Sequence, residues 1–164
     1  MEKSIFITEM PFGFSGKIFR TMMPFGKYDW IGLTFNYYKE EKVNTVVVLA
    51  DKDEIPVLKI GRTSLIVLYA NSGYSVIHFP VEDFGVPKDK QAFNNLAKQI
   101  VMLAKEGKNV AIHCQAGRGR TGTLLSQIAK IVFNMSGEDA ITWVRQTLPE
   151  AVETEEQVKF LCED

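Results

Sequence analysis

Short β-branched runs alternate along this chain with stretches whose apolar residues recur at helical spacing, and that alternation restricts it to a layered α/β fold. Asn44–Leu49 (NTVVVL) reads as a buried strand, Ser75–Phe79 as a shorter one, and Asn109–His113 (NVAIH) as the last. A helix is predicted over Asp29–Lys42 with Asp29 as its N-cap, and another over Thr63–Asn71, where Leu65, Leu68 and Tyr69 share a face before Gly73 stops it. The strongest helical pattern is Phe93, Leu96, Ala97, Ile100, Leu103 and Ala104, closed by Gly107. Beyond the last strand a helix is expected from near Thr121, with Leu124, Leu125, Ile128, Ile131 and Val132 inward. Two more follow over Gly137–Thr147 and Thr154–Glu163. These three helices would cover one face of the sheet. Residues 11–28 are rich in Gly, Pro and aromatics and suggest irregular structure around a short strand at Lys17–Arg20, and residues 81–88 read as a loop.

Composition narrows the function classes. With 164 residues, 46% apolar and 24% charged, the chain has the balance of one globular domain and not that of a disordered, collagenous or coiled-coil protein. Lys and Arg total 19 against 20 acidic residues, so no basic excess exists to release counterions from nucleic acid, and nucleic acid is not expected as a partner. The longest apolar runs, Val46–Ala50 and Leu65–Ala70, fall far short of the ~20 residues of a membrane span, so no membrane insertion is expected. The opening MEKSIFITEMPFG lacks the apolar stretch and cleavage site of a secretory signal, and Cys114 and Cys162 alone cannot build a disulfide framework. A cytoplasmic protein with one domain over residues 1–164 is the expectation.

The chemistry concentrates in His113–Gly122, HCQAGRGRTG. A cysteine ends a strand, five residues follow, and an arginine stands where a helix begins. Five residues that include Gly117 and Gly119 can curl so that successive N–H groups point inward and, with the helix N-terminus, form a nest for a tetrahedral dianion. The same field favours the nucleophilic thiolate of Cys114. Arg120 can offer a two-pronged fork to two phosphate oxygens. Gly117, Gly119 and Gly122 also spell G-x-G-x-x-G, the dinucleotide fingerprint, but the second strand with its acidic end that such a unit needs is replaced here by helical patterns. No G-x-x-x-x-G-K-[ST] run supports a nucleoside triphosphatase.

HCQAGRGRTG resembles the HC-x5-R-[ST] signature of the cysteine-dependent protein tyrosine phosphatases, in particular the small dual-specificity branch. Upstream, PVEDFGVP at residues 80–87 resembles that family's general-acid loop, with Asp83 at the acid position and Pro87 at the proline. The downstream AVETEEQVKFL is similar to its closing segment, with Gln157 as the glutamine near the site. The resemblance spans residues 43–162. It implies a single α/β domain with a central twisted mixed sheet of about five strands flanked by helices, and a phosphate-binding loop between the last strand and a helix. It also implies a two-step reaction in which Cys114 attacks phosphorus, Asp83 protonates the leaving oxygen, and a water then hydrolyses the phosphocysteine. Thr121 would stabilise the departing thiolate and His113 would orient the loop. Gln115, Ala116, Gly117, Arg118, Gly119 and Gln157 would bind the substrate. No metal or cofactor is required.

The expected substrate is phosphotyrosine in a protein or peptide, extending to phosphoserine and phosphothreonine. Inositol phosphates or phosphoinositides are the alternative, prompted by Arg118, and a catalytically inactive phosphate-binding module is disfavoured by the intact Cys114, Arg120 and Asp83. Glu82 and Asp89 are the substitute acids if Asp83 is only a turn residue. His78 and Cys162 are expected to be structural.

Overall fold

The computed structural model describes residues 2–59 and 61–163. The strands are β1 (Ile7–Met10), β2 (Ile18–Thr21), β3 (Thr45–Val48), β4 (Val57–Leu58), β5 (Thr63–Ser64), β6 (Ser75–His78) and β7 (Val110–His113). The helices are α1 (Lys3–Phe6), α2 (Leu33–Glu40), α3 (Leu65–Asn71), α4 (Lys90–Lys105), α5 (Gly119–Phe133), α6 (Gly137–Thr147) and α7 (Glu155–Cys162). Five strands form one mixed sheet in the order β1-β2-β7-β3-β6, in which β1 runs antiparallel to β2 and the other neighbours are parallel. β4 and β5 make a separate antiparallel hairpin.

The continuous apolar runs of β3 and β7 follow from burial on both faces, since every residue of the two strands is buried. Ile18, Val47, Val110 and Ile112 join one core with Phe93, Leu96 and Ile100 of α4 and Leu124, Leu125 and Ile128 of α5. Phe19, Val46, Val48 and Ala111 point the other way, against Tyr38 of α2 and Leu65 and Tyr69 of α3. The sheet therefore lies between two helical layers, and the carboxyl ends of its central parallel strands open at one edge, where such sheets build their sites. None of the helices among the described residues is long and apolar enough to cross a membrane.

Three boundaries depart from the sequence reading. Helix α2 starts at Leu33, not Asp29: the Asp29 carboxylate reaches past a turn to accept the N–H groups of Leu33 (2.9 Å) and Thr34 (2.8 Å). It caps the helix from four residues ahead. Thr63 and Ser64 pair with β4 instead of joining α3, and Ser64 becomes the cap through its hydroxyl, which accepts the Val67 N–H at 3.3 Å. Helix α5 begins at Gly119, so Arg120 stands inside its first turn. The edge strand β1 had no sequence signal, because ITEM is too short to display an alternation.

Candidate active site

Strand β7 ends at His113 and α5 begins at Gly119, so residues 114–118 must turn the chain at the carboxyl edge of the sheet. Each carbonyl of that turn is held from outside. The Cys114 oxygen lies 3.0 Å from His113 Nδ1, and the Gln115 oxygen accepts the Met23 N–H at 3.0 Å. The Ala116 and Gly117 oxygens both accept from the Arg20 guanidinium. The Arg118 oxygen accepts N–H groups of Gly122 (2.9 Å) and Val152 (3.2 Å), and the Gly119 oxygen accepts the Thr123 hydroxyl at 2.8 Å. In a trans peptide the N–H points opposite to the carbonyl. Carbonyls fastened outward therefore turn the loop's N–H groups inward, which is the geometry of an anion nest.

The loop surrounds a pocket of about 160 Å³ lined by Cys114, Gln115, Ala116, Arg118, Gly119, Arg120 and Gln157 from the expected set, together with Asp83. Two larger cavities among the described residues lack Cys114. The Thr121 hydroxyl donates to Cys114 Sγ at 3.2 Å, inside the protein. Arg120 is 3% exposed and engaged through both Nη atoms: Nη1 donates to Glu54 Oε2 (2.7 Å) and the Val81 carbonyl (2.8 Å), and Nη2 to Glu54 Oε1 (2.9 Å) and Asp83 Oδ1 (3.0 Å). Burial works against its charge, but Glu54, Cys114 and Asp83 more than offset that and raise it above the ordinary guanidinium value. Burial likewise pushes the Glu54 carboxyl up, and its bonds from Arg120 and the Asp51 N–H outweigh this and hold it below the usual carboxylate range.

Asp83 stands on the loop before α4, beside Phe84, which lines the pocket and has a φ of 62°, unusual for a bulky residue. That loop is tied to α7. Gln157, fully buried, accepts the N–H groups of Glu153 (2.9 Å) and Thr154 (3.3 Å), donates to the Gly85 carbonyl at 3.2 Å, and forms a capping box with Thr154. Arg118 also reaches Glu150, Nε to Oε2 at 2.9 Å, in an exposed pair. The substitute acids lie elsewhere: Asp89 caps α4 by accepting the Ala92 N–H at 2.9 Å, and Glu82 is exposed and lines a neighbouring cavity. His78 Nε2 lies 2.8 Å from the Ala50 carbonyl, and Cys162 ends α7.

His113 does not reach the pocket. Its Nδ1 faces the Cys114 carbonyl and so carries the proton, which leaves Nε2 to accept from the Tyr69 hydroxyl at 2.9 Å. Burial pushes the ring down from 6.5 to about 4. The unfolded chain therefore binds the extra proton first, and the stability this buried neutral ring contributes is complete above pH about 6.5 and lost as pH falls through about 4. The loss should total roughly 3 kcal/mol. Urea midpoints measured across that window should fall with pH, and His113→Asn should flatten the fall; parallel curves for the two proteins would contradict the buried neutral ring.

Several site residues escaped the sequence reading. Glu54 belongs to a short 3₁₀ turn, Lys52–Glu54, capped by Asp51, and has no motif around it in the sequence. Arg20, Lys27, Tyr28 and Glu153 carried no pattern; the last three line the pocket.

A family model described as "Polymorphic toxin system, DSP-PTPase phosphatase" matches residues 21–132. Protein tyrosine phosphatase domain-containing protein 1 of Mus musculus is 33% identical over 102 residues, which make up 62% of this chain and 13% of that relative. The chain thus corresponds to a small part of the mouse protein. The active form of Tk-PTP is similar in structure, with a TM-score of 0.71 and 27% identity over 94% of this chain and 93% of that one. Kinase associated phosphatase carrying serine at its catalytic cysteine has a TM-score of 0.80 at 21% identity, over 99% of this chain and 95% of that one.

Proposed function

Because the chain belongs to the DSP-PTPase phosphatase family, within the cysteine-dependent tyrosine and dual-specificity phosphatases, we propose that it hydrolyses phosphotyrosine in proteins or peptides, and phosphoserine and phosphothreonine beside it, through a phosphocysteine. The observation that carries this reading is the fastening of every loop carbonyl from Cys114 to Gly119 away from the pocket that holds Cys114, Arg120 and Asp83.

The phosphate dianion sits in the nest and takes over the edge of Arg120 now shared with Asp83. Cys114 Sγ attacks phosphorus opposite the ester oxygen, and a sulfur–phosphorus bond forms as the phosphorus–oxygen bond breaks. Asp83 delivers its proton to that oxygen, then accepts one from the water that attacks the phosphocysteine. Thr121, already bonded to Sγ, stabilises the thiolate as it leaves. His113 orients the loop from beneath. Tyr28 and Phe84, 47% and 58% exposed, line the pocket and suit an aryl ester. No metal is called for by these steps, and the reading includes a cytoplasmic site of action and one phosphatase domain over residues 1–164.

A second reading, inositol phosphates or phosphoinositides, has one observation in its favour. Arg118 lines the pocket, and its pair with Glu150 is solvent-exposed and held by no more than about 1 kcal/mol, so a polyphosphate can recruit it. A phosphate-release panel of phosphopeptides, inositol phosphates and lipids, run on the wild type and on Asp83→Asn, separates the two. Phosphotyrosine peptides should be the best substrates, and Asp83→Asn should lose about 10² to 10⁴ in rate on them, with a smaller loss on an aryl phosphate whose phenol is acidic. Preference for inositol polyphosphates, abolished by Arg118→Ala, would favour the second reading. An unchanged rate in Asp83→Asn would remove Asp83 as the acid.

A further inference from the structure

Arg20 of β2 is a charge buried inside the protein, 5% exposed. Its fork is spent on main-chain oxygens: Nε donates to Gly117 at 3.0 Å, Nη2 to Ala116, and Nη1 to Ile5 at 2.7 Å. The parallel register sets this up, because Arg20 lies opposite Ile112 and Thr21 opposite His113, so β2 runs directly beside the start of the loop. Contact is tight. Gly117 has a φ of +77°, and a Cβ there would stand 2.2 Å from the Thr21 carbonyl oxygen and 2.7 Å from Arg20 Nε. Only glycine permits the loop to rest on β2 in this way.

The other loop carbonyls are held by backbone N–H groups, a hydroxyl and a ring nitrogen; the Ala116 and Gly117 oxygens are held by a cation. These two oxygens belong to consecutive peptide units, whose opposite ends are the N–H groups of Gly117 and Arg118. A cation on the carbonyl side fixes the orientation of both units. It also polarises them, which makes the inward N–H groups more positive. We infer that Arg20 is a positioning residue that sets the anion affinity of the loop, acting on the bound phosphoryl group through the peptide units of Ala116 and Gly117. The inference deepens the phosphatase reading and rests on it for its effect on turnover, while its effect on anion binding stands apart from any reaction.

Lysine retains the charge but cannot serve both oxygens in one plane, and glutamine retains neither charge nor fork. The test is the affinity for inorganic vanadate and phosphate, measured by calorimetry alongside kcat and KM on an aryl phosphate, for the wild type, Arg20→Lys, Arg20→Gln and Arg20→Ala. Arg20→Gln should bind vanadate at least about tenfold more weakly, with Arg20→Lys between it and the wild type. Free guanidinium should restore part of the loss in Arg20→Ala and none in the wild type. If Arg20→Gln melts at lower temperature yet binds vanadate within about twofold of the wild type, Arg20 only stabilises the fold and the inference is overturned. Should the glutamine variant fail to fold, the same comparison on Arg20→Lys decides. A wild type that binds phosphate but releases none from any ester would overturn the proposed function, and the vanadate series would still judge Arg20.

Discussion

Cys114→Ser is expected to lose turnover by more than about 10⁴-fold, about 5.4 kcal/mol of barrier, while phosphate still binds. The serine hydroxyl sits where the sulfur sits, but at neutral pH it is a neutral and weak nucleophile, and among the described residues no base is hydrogen-bonded to that position. Thr121, the nearest hydroxyl, donates to the sulfur and cannot act as that base. Binding survives for a different reason. The N–H groups are aimed by bonds to Met23, Arg20, Gly122, Val152 and Thr123, and none of these involves the sulfur. Calorimetry with inorganic phosphate and a sensitive phosphate-release assay on the same preparation measure the two halves separately. Loss of both would mean that the thiol shapes the loop.

Arg120→Lys is the second large effect, at about 10²-fold or more in kcat/KM, about 2.7 kcal/mol. A guanidinium satisfies four oxygens here, on Glu54, Val81 and Asp83, from one rigid plane at 2.7 to 3.0 Å. An ammonium has three donors on a flexible stem and no plane. It would leave part of the Glu54 carboxylate without a partner beside the phosphate pocket, where negative charge repels the substrate. Glu54 is 19% exposed in its side chain, so water cannot screen it fully. The loss should therefore appear in KM as well as kcat. A loss below about tenfold would mean that Arg120 does not hold the phosphoryl group in the transition state.

Both effects concern a segment that local sequence could disclose. The cysteine, the two loop glycines and the arginine lie within seven consecutive residues, where short-range geometry links them directly. The α4 pattern was equally open, because six apolar residues at helical spacing have one physical explanation. What stayed hidden depends on distance along the chain. Glu54 lies 66 residues from Arg120 and Arg20 lies 97 from Gly117, and both become partners only once the parallel sheet sets β2 beside β7 and β3 beside it. Asp29 shows a smaller version of the same limit. It was legible as a cap, but the turn Trp30–Gly32 between it and α2 was not, since Gly32 takes its φ of +80° in a turn that packs on Phe25. Gln157 combines both cases: its capping box is local, and its bond to Gly85 is not.

The proposed reaction requires Cys114 to carry the phosphoryl group. The decisive experiment mixes wild-type protein with an aryl phosphate, quenches it within one turnover, and reads the digested protein by mass spectrometry. Phosphate should appear on the peptide that contains Cys114, in an amount approaching the enzyme's own, and should be absent in Cys114→Ser. Full phosphate release with no phosphorylated Cys114 at any quench time, or phosphate attached to another residue, would rule out Cys114 as the nucleophile.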